Sequence, residues 1–497
     1  MQKYFVGVDL GTGSTKAVAL DVLGNTVASA QKFYPTHNPK PGYSEQNPDL
    51  IWNAFVGCIG EITANIGYAP TAISFSSAMH SILPVDEKGN ALANAMLWAD
   101  ARSADIAQRI KEGTGGEDIY RHTGTAIYAM APLCKIIWLK ENESDLYNKA
   151  HKFISIKEYL WFKLFGVFEV DYSIASAMGM FDILELKWYD KACELAGVNF
   201  SKLSAPVNTN HTQYLTSTDI LPGIDETTAF IIGASDGCCA NLGGNAVKPG
   251  VGALTIGTSG AVRVGSKVPV YNYKAMTFNY LLNKDTFICG GAVNNGGAAV
   301  DWLLKNFLKL ENITDETYKQ LFETIDTVDA GSDGLVFLPY LYAERAPVWD
   351  AKSSGAFINI NFKHKQQHFL RAALEGICFA LNDVLKAVET SNEPIKEIVI
   401  SGGFISSATW VKLLADITGK KLVLLQADDA SAIGAIYLAM EALGVNINPI
   451  INNDAVERTE VKPDAGTHAI YTKIFQVYQK LYSDIKLSVH QLYALNN

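Results

Sequence analysis

Along the first thirty residues, short apolar runs alternate with small polar turns. Tyr4 to Leu10 is apolar apart from Asp9, Gly11 to Ser14 is small and polar, and the chain is apolar again to Leu20. This pattern predicts a β-hairpin, and Leu23-Gly24-Asn25 turns the chain into a third strand over 26 to 30. The pattern recurs in the second half. Residues 253 to 262 again read as strand, Gly-Thr, small residues, strand. Two such hairpins, one opening each half, predict a duplicated α/β fold with a boundary near residue 247, giving units 1–246 and 247–497.

Between the hairpins the pattern changes period. Asn47-Pro48-Asp49 opens a helix with Trp52, Phe55, Val56, Ile59 and Ile62 on one side. A short strand at 72–75 runs out into Ser76-Ser77-Ala78-Met79-His80, and Leu97 to Arg102 reads as a second strand end bearing polar groups. In α/β sheets, ligands are met where strands run out into loops. His80, Asp100 and Arg102 could converge there, although each taken singly is more often a surface or satisfied residue. Residues 132–141 are helical, with Lys135 read as solvated beside a core Trp138. Ile231 to Gly237 is a buried strand ending in small residues around one carboxylate, Asp236. In the second half, residues 289–297 form a strand and glycine-rich turn, followed by a helix over 298–308. The turn and the helix N-terminus suit a nucleotide phosphate. Phe369 to Val388 has apolar residues at spacings of three and four, interrupted by Glu375. A buried strand ends at Gly402-Gly403, a helix carrying Trp410 ends at Gly419, and a strand over 422–425 follows. A small-residue helix over 430–443 and an amphipathic helix over 471–487 complete the pattern.

Composition narrows the class. At 497 residues and 48% apolar, the chain can build two cores, and a net charge of −10 argues against non-specific binding to nucleic acid or an anionic membrane. It does not exclude an anionic small substrate. Seven scattered cysteines suit reduced thiols rather than a disulfide scaffold. No signal peptide or membrane-length apolar run is read, so a cytoplasmic location is expected.

The first hairpin also carries chemistry. Gly11, Thr12, Gly13, Ser14 and Thr15 offer N–H groups and hydroxyls, Lys16 offers an ammonium, and Asp9 stands at the mouth. One acid beside a phosphate cradle suggests Mg²⁺. A Walker A loop fails here, because Ser14-Thr15 precede Lys16 and Ala17 follows it. A dinucleotide GxGxxG fails because Lys16 stands in place of the third glycine and strands flank the turn. An ordinary hairpin remains the bland reading of this stretch alone.

These elements together resemble the FGGY carbohydrate kinases over nearly the whole chain. Met130, Pro132, Lys135, Ile136, Trp138, Leu139, Glu141 and Asn142 fill one long signature of that family. Gly355, Phe357, Ile360, His368, Phe369, Ala372, Ala373, Leu374 and Glu375 fit the other, while Asn359 departs from a family glycine at what reads as a backbone-packing position. The segments at 76–81, 98–103, 156–159, 171–180, 233–237 and 294–297 look most like the gluconate-phosphorylating subgroup. Xylulose kinases resemble them less closely.

The resemblance implies an actin/Hsp70-like (ribonuclease H-like) pair of domains around a cleft, with sugar and base on the first and nucleotide on the second. It implies ATP and Mg²⁺, and transfer of phosphate to the terminal hydroxyl of D-gluconate. Another sugar, such as xylulose, is the alternative acceptor. By resemblance Asp236 matches the catalytic base, and Asp9 the acid near Mg²⁺ and the sugar. Residues 11–15 match one phosphate hairpin, and Gly257, Thr258, Ser259 and Gly260 the other. Gly297, Gly403 and Ser407 match nucleotide contacts, with Gly402 beside them, and Met79 and His80 match sugar contacts. Arg102 and Lys157 are candidates to offset a substrate carboxylate, each otherwise a surface charge. A homodimer is one assembly left open. A sugar or nucleotide sensor on the same fold is the competing class, since fold alone does not establish activity.

Overall fold

The computed structural model describes residues 3–311, 314–389, 394–424, 429–451 and 458–496. The first half of the chain builds a six-stranded sheet. Its strands are β1 (Tyr4–Leu10), β2 (Ser14–Asp21), β3 (Thr26–Phe33), β4 (Ala72–Ser77), β5 (Thr212–Gln213) and β6 (Ala229–Ser235), in the order β3-β2-β1-β4-β6-β5. The second sheet has β7 (Val251–Ile256), β8 (Gly260–Ser266), β9 (Phe278–Asn283), β10 (Thr286–Val293), β11 (Glu397–Ser401), β12 (Lys421–Leu424) and β13 (Thr459–Val461). Their order is β9-β10-β8-β7-β11-β12-β13.

Apart from the extra edge strand β9, the two sheets are the same. In each, the first strand of an antiparallel meander is followed across the sheet by two further strands, each pairing in parallel with the one before it. An antiparallel edge strand closes the order. The parallel strands are covered on both faces, which is why β1, β4 and β6 read as near-continuous apolar runs. The duplication expected from the two hairpins is therefore a duplication of whole sheets.

Helix α1 (Pro48–Ile66) follows the first meander. Its N-cap Asn47 accepts from the Asp49 N–H, and it stops at left-handed Gly67. The remaining principal helices are α2 (Asp236–Gly243), α3 (Gly297–Trp302), α4 (Gln366–Glu389), α5 (Ala408–Thr418), α6 (Ala430–Ala442) and α7 (Ala465–Asn496). Helix α6 lies in the second half of the sequence but packs on the first sheet and on α2, joining Phe5, Val18, Ala234 and Cys239 in one core. Its small residues have a direct cause. A Cβ on Gly7 would sit 1.9 Å from the Ala432 carbonyl oxygen, and one on Gly434 1.9 Å from that of Cys239. Backbone meets backbone at this crossing, so larger side chains cannot enter.

Several expectations are corrected. Leu97 to Arg102 is a turn, not a strand end; the strand is the two-residue Ala95–Met96. The helix at 298–308 is α3, continued by a wider π turn over Leu303–Phe307. Leu425 lies outside the described residues. Lys135 is fully buried and donates to the carbonyls of His80 (2.7 Å) and Leu97 (2.6 Å), while Trp138 is half-buried. Its ammonium therefore ties two loops together, and burial pulls its pKa down to about 7. Asn359 is exposed with φ 67° and donates to the Gly334 carbonyl. A glycine suits that position for its left-handed backbone rather than for packing, and asparagine is among the residues that tolerate it. Glu375, the break in the apolar face of α4, accepts from Arg371, Tyr471 and Ser332 inside the core, tying α4 to α7.

Candidate active site

The three parallel strands of the first sheet run out together. Asp9 on β1 is in register with Ser76 on β4, and Ala234 and Ser235 on β6 lie opposite Ser76 and Ser77. A bulge in β6 sets this alignment. Gly233 has φ 72°, and a Cβ there would fall 1.8 Å from the Phe75 carbonyl oxygen. The chain then enters α2, whose first residue is Asp236.

Asp9 accepts from the Ser76 hydroxyl at 2.7 Å. Burial first, and then the neighbouring Asp236 charge, push its carboxyl up to about 6; Asp429 adds to the rise, while Ser76 and Lys16 oppose it. Asp236 Oδ1 accepts from the Gly237 N–H at 2.8 Å. Burial raises its pKa, opposed mainly by the Arg263 guanidinium.

The first hairpin is strapped in place by side chains. Tyr34 donates to the Gly11 carbonyl (2.7 Å), Gln46 to the Thr12 carbonyl, and the Trp98 indole N–H to the Thr12 hydroxyl (3.0 Å). Gly13 faces open space. Lys16 forms an ion pair with Asp429, at the head of α6, rather than pointing away unpaired.

In the second hairpin the Gly257 N–H bonds the Ser259 carbonyl. The N–H groups of Gly296, Gly297 and Ala298 donate back to the Gly257 and Thr258 carbonyls at 2.7 to 3.2 Å. The start of α3 thus spends these donors on the hairpin, locking one to the other. Next to this joint lies a cavity of about 790 Å³ lined by Gly257, Thr258, Gly297, Gly403, Phe404 and Ser407, among others. That volume is within the range of small-molecule and cofactor sites. Five residues singled out as nucleotide contacts therefore share one wall. Ser259, Gly260 and Gly402 lie near these residues in sequence without lining it.

On the sugar side, Met79 and His80 follow β4. The Met79 methyl stands 3.3 Å from where a Gly237 Cβ would be. His80 is buried at φ 66°, with Nδ1 on the Ala177 carbonyl (2.9 Å) and Nε2 facing the Tyr280 hydroxyl (3.2 Å). Burial holds its pKa down at about 3, so the ring is neutral, with Nδ1–H donating and Nε2 accepting.

Asp100 and Arg102 pair with each other, a fork at 2.7 to 3.0 Å. Asp100 also accepts from the Ser44 N–H, and Arg102 reaches Glu45 (2.5 Å) and stacks on Tyr43 (3.6 Å to the ring centre). Lys157 pairs with buried Asp171 (2.6 Å) and donates to the Ala234 carbonyl, beneath Asp236. Both cations chosen from the sequence are thus already neutralised within the protein.

Two arginines given no site role from the sequence, Arg263 and the Arg345 of the acid–base pair Glu344-Arg345, face the same space from the second half. Arg263 on β8 lies against Gly237, its Nε 3.2 Å from an ideal Cβ there. Arg345 sits over the Trp98 ring at 5.6 Å. A lone arginine inside the apolar run Ala261-Val262-Arg263-Val264 was the available signal.

The profile of the FGGY family of carbohydrate kinases matches twice, its N-terminal domain over residues 4–243 and its C-terminal domain over residues 252–443. The chain belongs to this family. It is a carbohydrate kinase. A gluconokinase of Bacillus licheniformis is 39% identical over 453 residues, 89% of this chain and 88% of that one. The crystal structure of a gluconate kinase from Lactobacillus acidophilus superposes with a TM-score of 0.93 at 32% identity, covering 99% of this chain and 100% of that one. A ligand-bound xylulose kinase from the same organism does so with the same TM-score at 33% identity and the same coverage. The two-domain α/β architecture is thus that of FGGY kinases. The cavity lies beside the second hairpin and is lined by residues of the second half alone. No described helix is long and apolar enough to cross a membrane.

Proposed function

We propose that this kinase transfers the γ-phosphoryl group of ATP to the terminal hydroxyl of D-gluconate, giving 6-phosphogluconate in the cytoplasm. The observation that carries the reading is Asp236. Its half-buried carboxylate heads α2 at the end of β6, beside Asp9 and Met79 of one half and Arg263 of the other. Phosphoryl transfer relies on positioning and charge stabilisation more than on covalent help. Asp236 would accept the proton of the acceptor hydroxyl as it attacks, an effect of roughly 10²–10⁴-fold.

The 790 Å³ cavity would take the nucleotide, with the two hairpins around its phosphates. Gly11, Thr12, Gly13, Ser14 and Thr15 supply backbone N–H groups and hydroxyls on one side, and Gly257 to Gly260 on the other. Mg²⁺ fits the donors present. Asp9 and the Ser76 hydroxyl are hard oxygen groups, and Asp9 carries an ionisation that burial and Asp236 make costly. When bound, the ion supplies positive charge beside the phosphates. Met79 and His80 would line the sugar, with His80 held as a neutral ring. Asp100, Arg102 and Lys157 would act on the sugar through the walls they brace. Closure of the two halves would exclude water and limit wasteful hydrolysis.

The Bacillus licheniformis gluconokinase at 39% identity supports gluconate as acceptor. The xylulose kinase neighbour favours a second reading, a neutral ketose in the same site. The test is Asp236→Asn assayed with D-gluconate. The variant is expected to fold and to bind MgATP normally, while kcat falls by roughly two to four orders of magnitude. A stable variant keeping more than about a tenth of wild-type kcat would overturn Asp236 as base.

A further inference from the structure

A sugar acid brings a carboxylate into this site, and the cations chosen from the sequence are not available to meet it. Arg102 is committed to Asp100 and Glu45, Lys157 to Asp171, and Lys16 to Asp429. Arg263 and Arg345 differ. Among the described residues, neither has a carboxylate within ion-pair distance, and the Arg263 side chain makes no hydrogen bond. Arg345 gives one Nη2 hydrogen to the Val293 carbonyl at 3.2 Å, and its Nε is buried without a partner. The adjacent Glu344 is felt at Arg345 but forms no ion pair with its guanidinium. That carboxylate is spent on the N–H groups of Asn294 and Arg345 itself and on the Asn295 amide.

An unpaired buried guanidinium N–H is costly, and such orphans mark positions where a missing partner belongs. Both side chains face the region of the acceptor. Arg263 reaches Gly237 beside the base, and its charge is felt at Asp236. Arg345 covers Trp98, whose indole holds the first hairpin, and its charge is felt at His80. Tyr280, bonded to His80, lies in the field of both arginines. Asp236, Arg263, Tyr280 and Arg345 thus stand close enough to feel one another's charge. A guanidinium fork is matched to a carboxylate and has nothing comparable to grip on a neutral sugar.

We propose that Arg263 and Arg345 bind the carboxylate of an open-chain sugar acid, and so set the preference for acids over neutral sugars. This rests on reading the site as that of a sugar-acid kinase.

The experiment measures kcat and KM of wild type, Arg345→Met and Arg263→Met with D-gluconate, D-xylulose and MgATP. Each variant is expected to raise KM for gluconate by about 10–100-fold, to lower the gluconate-to-xylulose ratio of kcat/KM by at least tenfold, and to leave KM for ATP within about twofold. The Arg263 side chain has no hydrogen bond to lose, so its variant keeps the test alive if Arg345→Met melts early; MgATP-induced thermal stabilisation reports that the fold is intact. Equal losses for acid and neutral acceptors overturn the clamp. So does a shifted pH profile of kcat with unchanged gluconate KM, which would make Arg263 a positioning residue for Asp236. Wild type that phosphorylates xylulose but no sugar acid overturns the acceptor reading and the clamp with it. Undiminished gluconate KM in both variants overturns the clamp alone.

Discussion

Replacing Asp9 with asparagine is expected to abolish turnover and yet to stabilise the free protein at neutral pH. Asp9 is raised from 3.8 to about 6, first by burial and then by Asp236, with Asp429 adding to the rise and Ser76 and Lys16 opposing it. The folded state therefore holds this proton more tightly than the unfolded chain does. The sign follows from proton linkage. Stability from this group is fullest below about pH 3.8 and is lost as pH rises through about 6, which amounts to about 3 kcal/mol at pH 7. Asparagine keeps the oxygen that accepts from Ser76 and carries no charge, so it escapes that loss. With an unfolding entropy of about 2.1 cal/mol/K per residue, melting should rise by roughly 3 °C if the whole chain melts as one unit. Differential scanning calorimetry from pH 4 to 7 measures both the shift and its pH dependence. The wild-type curve should fall relative to the variant between pH 4 and 6. MgATP should narrow the gap by stabilising wild type more. An Asp9→Asn protein that melts no higher than wild type, with an unchanged slope across that range, would refute the reading of Asp9 as a strained ionised acid.

Two further substitutions separate the site from its frame. Gly402 has φ 108° and its Cβ would meet the Ile256 carbonyl oxygen at 2.1 Å, whereas a Cβ on Gly403 meets nothing within 4 Å. Gly402→Ala should lower the melting temperature. Gly403→Val should spare it but raise KM for ATP well above any change in KM for the acceptor; equal effects on both substrates would remove Gly403 from the nucleotide wall. Arg102→Met should act on stability, because it strips buried Asp100 of its partner, at a cost of about 3–5 kcal/mol. In urea denaturation an unchanged midpoint would contradict that bracing role.

The duplicated sheet was legible in the sequence because both hairpins carry the same small-residue turn between apolar runs. The parallel strands were legible because strands covered on both faces keep no polar alternation. Asp9, Asp236 and the Gly402-Gly403 turn stood out as polar or small groups at the ends of such strands. What pattern could not show was pairing across the fold. Lys157 read as a free cation because Asp171 lies 14 residues away from it in sequence, and Arg102 because nothing in the pattern showed that Asp100, two residues before it, turns back to pair with it. Lys135 read as solvated because its two acceptors are backbone carbonyls, which any residue possesses. Helix α6 read as part of the second unit because sequence order does not reveal that its glycine and alanines fit against β1 and α2.

The central claim is that the acceptor is a sugar acid phosphorylated at its terminal hydroxyl. It is tested most directly by presenting the purified protein and MgATP with D-gluconate, D-xylulose and glycerol in parallel. ADP release is followed, and the product phosphate is located by phosphorus–proton correlation. D-Gluconate should give a kcat/KM on the order of 100-fold above the neutral acceptors, with phosphate on carbon 6. A higher kcat/KM for D-xylulose, or ADP release without a phosphorylated acid, would contradict it.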